Sequence, residues 1–347
     1  MTERSLEITG APAAVDPSQL VFQIATGYIA STALYVAARL RIADHLASGA
    51  RAADDLARET GANPDALYRV LRALASLGIF EEVSPRVFVN NAPSDTMKSG
   101  APGSIYDMAL WIADPFHFRV YAEAMHSVTT GLSAVEKAVG VPVFEYFPRN
   151  PELSEVFNNA MTSFSAFVVP AVLDVYDFTG IGTLVDIVGG HGQVLMSVLR
   201  KYPAMRGVLF DMEHVIAGAI PRIREAGLEG RITAEAGDFF KAVPSGADAY
   251  IMKHIIHDWD DDRATAILQN IAKAMNRDGR VILIESVLAP ANTPDFGKLI
   301  DLEMLLLPGG RERTEQEFRN LFERAGFRLA RVVPTQSPLS VLEARLR

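Results

Sequence analysis

Lys253-His254-Ile255-Ile256-His257-Asp258-Trp259 sets a histidine beside an aspartate and a tryptophan, directly after the apolar run 249–252. Histidine is the only side chain whose ordinary pKa lies near neutrality, so at the C-terminal end of a strand it is suited to act as a general base. Alone, the run reads equally well as a surface loop that carries a histidine. Three other strand-like segments end in groups that could serve the same chemistry. Residues 184–188 run into Gly189-Gly190-His191-Gly192. Glycines there let the backbone approach a ligand, and the helix that follows offers free N–H groups. Residues 207–210 end in Asp211, about 20 residues beyond the glycines, the spacing of a carboxylate that grips a ribose diol. Residues 232–236 lead to Gly237-Asp238-Phe239, an acid and an aromatic able to hold an adenine by its amino group and its face. The glycine run alone is weak, because dinucleotide sites use the same physics, and its Gly-Gly-His-Gly spacing differs from theirs.

These groups need a scaffold to bring them together. Residues 184–188, 207–211, 232–238, 247–252 and 280–287 have the texture of strands. Residues 194–202, 215–226, 264–275 and 315–325 read as helices, and 327–335 with 339–344 as a closing strand pair. The alternation implies right-handed crossovers and an α/β fold, a Rossmann-like, doubly wound, mostly parallel sheet that binds ligands outside the carboxyl ends of its strands. Upstream, residues 17–47 read as helices too apolar for a free surface, to be buried in their own core or against a partner subunit. Asn63 and Pro64 open a helix that carries Leu67, Val70, Leu71, Leu74 and Leu77 and that Gly78 stops. Residues 79–83 and 87–89 form a hairpin, so the region has a winged-helix pattern. Recognition of DNA would need a basic face, but the candidate recognition helix offers only Arg69 and Arg72 and the chain carries a net charge of −9. A structural or dimerisation module is therefore favoured over a DNA-binding regulator. Residues 101–175 are helical and rich in large apolar side chains, among them Trp111, Met125 and Met161, a mixture of core and an apolar pocket for a flat ligand. The expected divisions are 1–100, 101–175 and 176–347.

A chain of 347 residues with 49 % hydrophobic content can bury the cores of about two domains. The absence of cysteine excludes disulfides and thiolate metal sites. Residues 1–16 have no charged stretch followed by an apolar one, so no secretory signal is expected, and residues 20–40 contain Gln23, Thr26, Gly27, Ser31, Thr32 and Arg39, too polar for a membrane span. The expectation is a cytoplasmic protein with no nucleic-acid or membrane partner.

Read in order, Phe157-Asn158-Asn159-Ala160-Met161, Leu184-Val185-Asp186 with Gly189-Gly190-His191-Gly192, Phe210-Asp211, Gly237-Asp238-Phe239-Phe240, Lys253 with His257-Asp258-Trp259, and Gly309-Gly310-Arg311-Glu312-Arg313-Thr314 form a specific set. On these motifs nearly the whole chain resembles the class I S-adenosylmethionine-dependent small-molecule O-methyltransferases of the caffeic-acid and hydroxyneurosporene type, the metal-independent group of plants and bacterial natural-product pathways. The resemblance implies a helical, winged-helix-like dimerisation domain before the Rossmann-like domain, and a homodimer. It implies S-adenosylmethionine as cofactor, S-adenosylhomocysteine as product, no metal, and an aromatic acceptor methylated on a hydroxyl, expected to be phenolic. It also implies roles: Asp211 on the ribose with Met212 beside it, Asp238 and Phe239 on the adenine, Lys253 partly through its backbone, Val188 and Gly190 in the cofactor loop, and Ser165 reaching the methionine carboxylate. His257 would be the base, flanked and oriented by Glu285 and Glu312. Met161, Asn158, Trp111 and Asp258 would border the acceptor, with the apolar run 305–307 as a wall.

Several positions carry rival readings. Glu285 could end its strand in solvent, Glu312 could pair with Arg311 or Arg313, and Asp258 could cap the helix that follows. His254 is a wall residue or an exposed one, and His191 meets the ligand or faces solvent. Val188 stands where the family normally has glycine, and a β-branched residue resists unusual backbone angles. That departure keeps open a relative that binds S-adenosylmethionine but catalyses another reaction, a hydroxylation or a pericyclic step.

Overall fold

Branched and aromatic runs pair along the chain much as their alternation with helices requires. The computed structural model describes residues 16–347; the expectation of no secretory signal falls largely on residues outside that range. The chain divides into two compact units between Ala113 and Asp114.

In the first unit Asp16 caps the long helix Pro17–Arg39, its carboxylate accepting the N–H groups of Ser18 and Gln19. Helices Ala53–Thr60 and Pro64–Ser76 follow, the second capped by Asn63 with Pro64 at its first position. A small antiparallel sheet joins β1 (Arg51–Ala52), β2 (Glu81–Ser84) and β3 (Val87–Val89) in the order β1-β3-β2. Leu56, Leu67, Leu71, Leu74, Phe80 and Phe88 close its core, whereas Leu77 is exposed. The winged-helix pattern is thus present. Helix Pro17–Arg39 buries only Ala37 and Ala38 and leaves Leu20, Val21, Phe22, Ile24, Tyr28 and Ile29 exposed. By length and composition it and helix Pro151–Val175 could each cross a membrane, contrary to the polarity expected of residues 20–40. The hydroxyls of Thr26, Ser31 and Thr32 donate to the carbonyls of Phe22, Gly27 and Tyr28 one turn back, which spends their polarity inside the helix.

The second unit opens with short helices and the helix Pro151–Val175, then builds a seven-stranded sheet. Its strands are β4 (Thr183–Ile187), β5 (Arg206–Asp211), β6 (Ile232–Ala236), β7 (Ala249–Lys253), β8 (Arg280–Glu285), β9 (Phe327–Pro334) and β10 (Ser340–Leu346), in the order β6-β5-β4-β7-β8-β10-β9. β6 to β8 run parallel, and β10 lies antiparallel between β8 and β9. Strand order reverses between β4 and β7, the topological switch point where such sheets open a crevice. Register pairs Ile187 with Phe210, Asp211 with Ala236, and Lys253 with Ile284, so the four chemically interesting ends stand along one edge. One apolar cluster, including Leu184, Leu195, Leu209 and Ile251, and a second, including Val185, Tyr250, Ile267 and Phe322, form two cores of this unit. Helix Gly297–Leu306 was not legible in sequence. Its first residue follows no capping side chain, and it takes in Leu305 and Leu306 of the apolar run expected as a wall.

Gly207 on β5 shows how tightly the sheet is packed, since an added Cβ would stand 2.8–3.0 Å from Cδ1, Cδ2 and Cγ of buried Leu195. Gly207→Ala should cost about 1–3 kcal/mol, read as a lower urea midpoint. An unchanged midpoint would show that Leu195 repacks freely.

Candidate active site

The chain leaves β4 through Val188, whose N–H donates to the Phe210 carbonyl at 2.7 Å and whose φ is +56°. That left-handed backbone explains why glycine suits the position and why valine strains it. At Gly189 a Cβ would fall 2.5 Å from Leu209 Cδ1 and 2.6 Å from Asp186 Cγ, so no side chain fits. Gly190, with φ +57°, faces open space, and its N–H donates to Asp211 Oδ2 at 2.9 Å. The Met212 N–H donates to Asp211 Oδ1 at 2.7 Å. Burial pushes the Asp211 carboxyl up, against those two bonds, and pushes Asp186 up to about 7.

Asp238 is exposed and accepts the Phe240 N–H at 2.9 Å, while Phe239 lies half-buried with its ring 5.9 Å from that of Trp259. Lys253 Nζ lies 5.6 Å from the Phe164 ring, and burial lowers its pKa despite the carboxylates of Glu285, Asp186 and Asp258. On helix Pro151–Val175, Ser165 turns its hydroxyl back to the Met161 carbonyl at 2.7 Å, so the expected reach is already partly spent. Asn158, Asn159, His191 and Arg222 line a cleft of about 370 Å³. His191 is half-buried, its Nδ1 3.4 Å from Thr162 Oγ1, which favours a ring turned toward that helix rather than free in solvent. Trp111 is buried in the first unit, on helix Tyr106–Ile112.

At the end of β7 the backbone takes a left-handed step at His254 (φ +54°) and enters a short 3-10 turn, Ile256–Asp258. Glu285, at the end of β8 and fully buried, accepts the N–H groups of Ile255 and Ile256 through Oε1 at 3.1 and 2.9 Å. This fixes the turn and holds His257, 5 % exposed, with Nδ1 2.7 Å from Glu312 Oε1. Nδ1 is 3.9 Å from Glu285 Oε2, and Nε2 is 3.5 Å from Asp258 Oδ1. Burial alone would lower His257, but Glu285, Glu312 and Asp258 outweigh it and raise the pKa to about 10. Burial also raises Glu285 to about 7 and Asp258 to about 6, against the pull of His257. The His254 ring stacks between Phe164, at 5.2 Å, and His257, at 4.4 Å, and burial drives its pKa well down. His254, His257 and Glu285 offer ligating atoms within 4.8 Å of one another, but Nδ1 of His257 is taken by Glu312. Buried polar atoms are normally paired. In this region, however, His254 Nε2, Trp259 Nε1, Glu285 Oε2 and Glu312 Oε2 have no hydrogen-bond partner.

Residues 22–99 match the O-methyltransferase dimerisation domain and residues 121–328 the O-methyltransferase domain. The chain belongs to this O-methyltransferase family. It is 42 % identical to phenazine O-methyltransferase PhzM of Lysobacter antibioticus over 96 % of this chain and 97 % of that protein. It is 36 % identical to mitomycin biosynthesis 6-O-methyltransferase of Streptomyces lavendulae over 99 % of each. The crystal structure of NcsB1 from neocarzinostatin biosynthesis, in complex with S-adenosylmethionine and 2-hydroxy-5-methyl naphthoic acid, superposes with a TM-score of 0.82 at 30 % identity, covering 96 % of this chain and 100 % of that one. The protein is an S-adenosylmethionine-dependent O-methyltransferase of secondary metabolism.

Three rival readings of the methyltransferase's site residues fail on geometry. Glu285 does not end in solvent. Glu312 does not pair with its neighbours, since Arg311 bonds Glu317 and Arg313 bonds Asp261. Asp258 does not cap the next helix; Asp260 does, accepting from Asp262 and Arg263. Two anchors were missed in sequence. Asp301 Oδ1 accepts the Glu312 N–H at 2.8 Å, and Gly310 admits the His257 carbonyl, which a Cβ would meet at 2.0 Å. The glycine pair of 309–310 was the available signal.

Val188→Gly exchanges backbone strain of about 1–3 kcal/mol for a chain-entropy cost of about 0.5–1 kcal/mol. The variant should therefore unfold at a higher urea concentration; a lower midpoint would mean that the valine's packing outweighs its strain. For His257 the folded pKa lies above the unfolded value of about 6.5. Its stabilisation is thus complete below that pH and is lost as pH rises through about 10. Glu285 and Asp258, also raised, act with the same sign at lower pH. His257→Gln should flatten the fall of thermal midpoint from about pH 7 to 10, and an equally steep fall would count against the bound proton.

Proposed function

We propose that this methyltransferase transfers a methyl group to a phenolic hydroxyl of an aromatic secondary metabolite, with His257 as general base. The observation that carries the reading is the bond from His257 Nδ1 to buried Glu312, which leaves Nε2 to accept a proton. A neutral phenol, with a pKa of about 10, is a poor nucleophile. His257, raised to about 10, matches it, so the proton passes with little net cost. When bound, S-adenosylmethionine supplies a sulfonium methyl whose leaving group is a neutral thioether. The acceptor oxygen forms its bond to carbon as the carbon–sulfur bond breaks, and its proton goes to His257 Nε2. Glu312 fixes the ring's orientation and stabilises the imidazolium, as a triad carboxylate does. Glu285 adds its charge and holds the turn.

The glycine loop fits the cofactor. A Cβ at Gly190 would meet nothing within 4 Å, and Asp211 stands beside it. Asp211 with Met212 would hold the ribose, Asp238 and Phe239 the adenine, Lys253 its approach, Val188 and Gly190 the chain beneath it, and Ser165 the methionine carboxylate, its hydroxyl turning from the Met161 carbonyl to donate to it. Met161 and Asn158, as part of a contribution from residues 114–175, would border the acceptor together with Asp258. The stacked pairs Phe147 with Phe157 and Phe144 with Trp259, at 4.7 and 6.0 Å, suit a flat aromatic. The exposed apolar face of helix Pro17–Arg39 lies mostly in the matched dimerisation domain, and supports a homodimer that buries it; the cytoplasm is the proposed setting, in keeping with a chain that has no cysteine.

The test is incubation with S-adenosylmethionine and a panel of hydroxyphenazines, hydroxynaphthoates and catechols, reading S-adenosylhomocysteine. Turnover should rise with pH toward about 10. It should fall about 10²–10⁴-fold in His257→Ala, and unchanged turnover in that variant would sink the base. Asp211→Asn should weaken cofactor binding about tenfold by calorimetry, at the cost of one charge-assisted bond, and equal affinity would remove the ribose assignment.

A further inference from the structure

Arg313 takes no part in the chemistry above, yet it is among the largest fully buried side chains of the described residues. Its guanidinium gathers three parts of one turn. Nε and Nη2 donate to Asp261 Oδ1 at 3.0 and 2.8 Å. Nη2 also donates to the Trp259 carbonyl at 2.8 Å, and Nη1 to the carbonyls of Ile256 at 3.1 Å and Arg311 at 3.2 Å. Ile256 precedes His257, and Trp259 and Asp261 follow it, so the acceptors bracket the base.

Arg313 is itself held from behind. Its carbonyl accepts the Leu288 N–H at 3.0 Å, and it pairs with Val287 just beyond β8. The Arg311 N–H donates to the His257 carbonyl at 2.8 Å. Glu312 sits between these two anchored arginines, with its own N–H on Asp301. Burying a cation costs several kcal/mol even after relaxation, and here one carboxylate, itself 41 % exposed, answers it. A site that only filled space would be served as well by an apolar side chain. The planar fork of five donors does what such a side chain cannot, and what lysine, with three donors on one atom, cannot reach around to do.

We propose that Arg313 is a positioning residue for methyl transfer, clamping turn 256–261 to segment 311–313 so that Glu312 stays against His257. The inference rests on His257 acting as base. The charged and titratable groups that face His257 are Glu285 from β8, Asp258 from its own turn, Lys253 and His254 from the end of β7, and Glu312. Only Glu312 shares a segment with Arg313, so loosening the clamp acts on that pair.

The test is steady-state kinetics across pH with the full-length enzyme and an acceptor it turns over. Arg313→Lys should lower kcat about 10–100-fold, as a misplacement on the scale of 1 Å does, with KM for S-adenosylmethionine within about twofold. The rising limb of its pH profile should move down by about one unit, because the imidazolium loses carboxylate support. In a Glu312→Gln background the same change should displace the limb no further. A loss of kcat with the limb unmoved, or full additivity with Glu312→Gln, would overturn the proposal and leave Arg313 a structural residue. If Arg313→Lys fails to fold, Asp261→Asn, at a partly exposed position, should move the limb the same way by less, and an unmoved limb there overturns it too. Turnover surviving in His257→Ala would sink the base reading. Turnover lost in His257→Ala, with the limb unmoved in the Arg313 and Asp261 variants, would sink this inference alone.

Discussion

One proton held between His257 Nδ1 and Glu312 Oε1, 2.7 Å apart and shielded from water, sets the terms for the head of the sheet. Burial works against a charged imidazole. At an effective dielectric of about 20, a carboxylate about 4 Å away returns about 4 kcal/mol, and Glu285, Glu312 and Asp258 all stand within that range of the ring. Attraction wins, and His257 ends far above its ordinary pKa. Burial raises Glu285 and Asp258, and Glu312 beside them adds to the rise, since like charges in a dry site disfavour one another. The surrounding backbone serves this balance. Ile255 and Ile256 answer one oxygen of Glu285, Asp301 holds Glu312 from its backbone, and Gly310 lets the two segments meet.

At the other end of the crevice the glycine loop is shaped before any ligand arrives. Gly189 is pinned against Leu209 and Asp186, and Gly190 is tied to Asp211. A loop already ordered has less entropy to lose on binding. Val188 is the exception, a β-branched residue held at positive φ while its N–H donates to the Phe210 carbonyl.

Much of this was legible in the sequence. The alternating segments predict the sheet, and Asn63-Pro64 predicts a helix start that the side chain of Asn63 indeed caps. The four strand ends come together because parallel register leaves no other edge for them. What could not be read depends on long-range packing. Whether Glu285 is buried depends on what covers β8, and whether Glu312 faces His257 or Arg311 depends on a backbone approach that Gly310 alone hints at. Asp258 stands close enough to the next helix to be read as its cap, and only the 3-10 turn at Ile256–Asp258 leaves that role to Asp260. Helix Gly297–Leu306 lacks a capping side chain, so neither its start nor Asp301 could be assigned.

Glu285 divides its labour between two oxygens. One anchors the N–H groups of Ile255 and Ile256, and the other lies within reach of His257. Descendants of such a fold that abandon methyl transfer are therefore free to discard the histidine first, because the turn would keep its shape. They are not free to discard the glutamate, whose loss would strip two buried amides of their partner. Shortening to aspartate would withdraw both oxygens at once. The acid at the end of β8 should thus persist in lineages as a relic of folding long after the base it once served has gone.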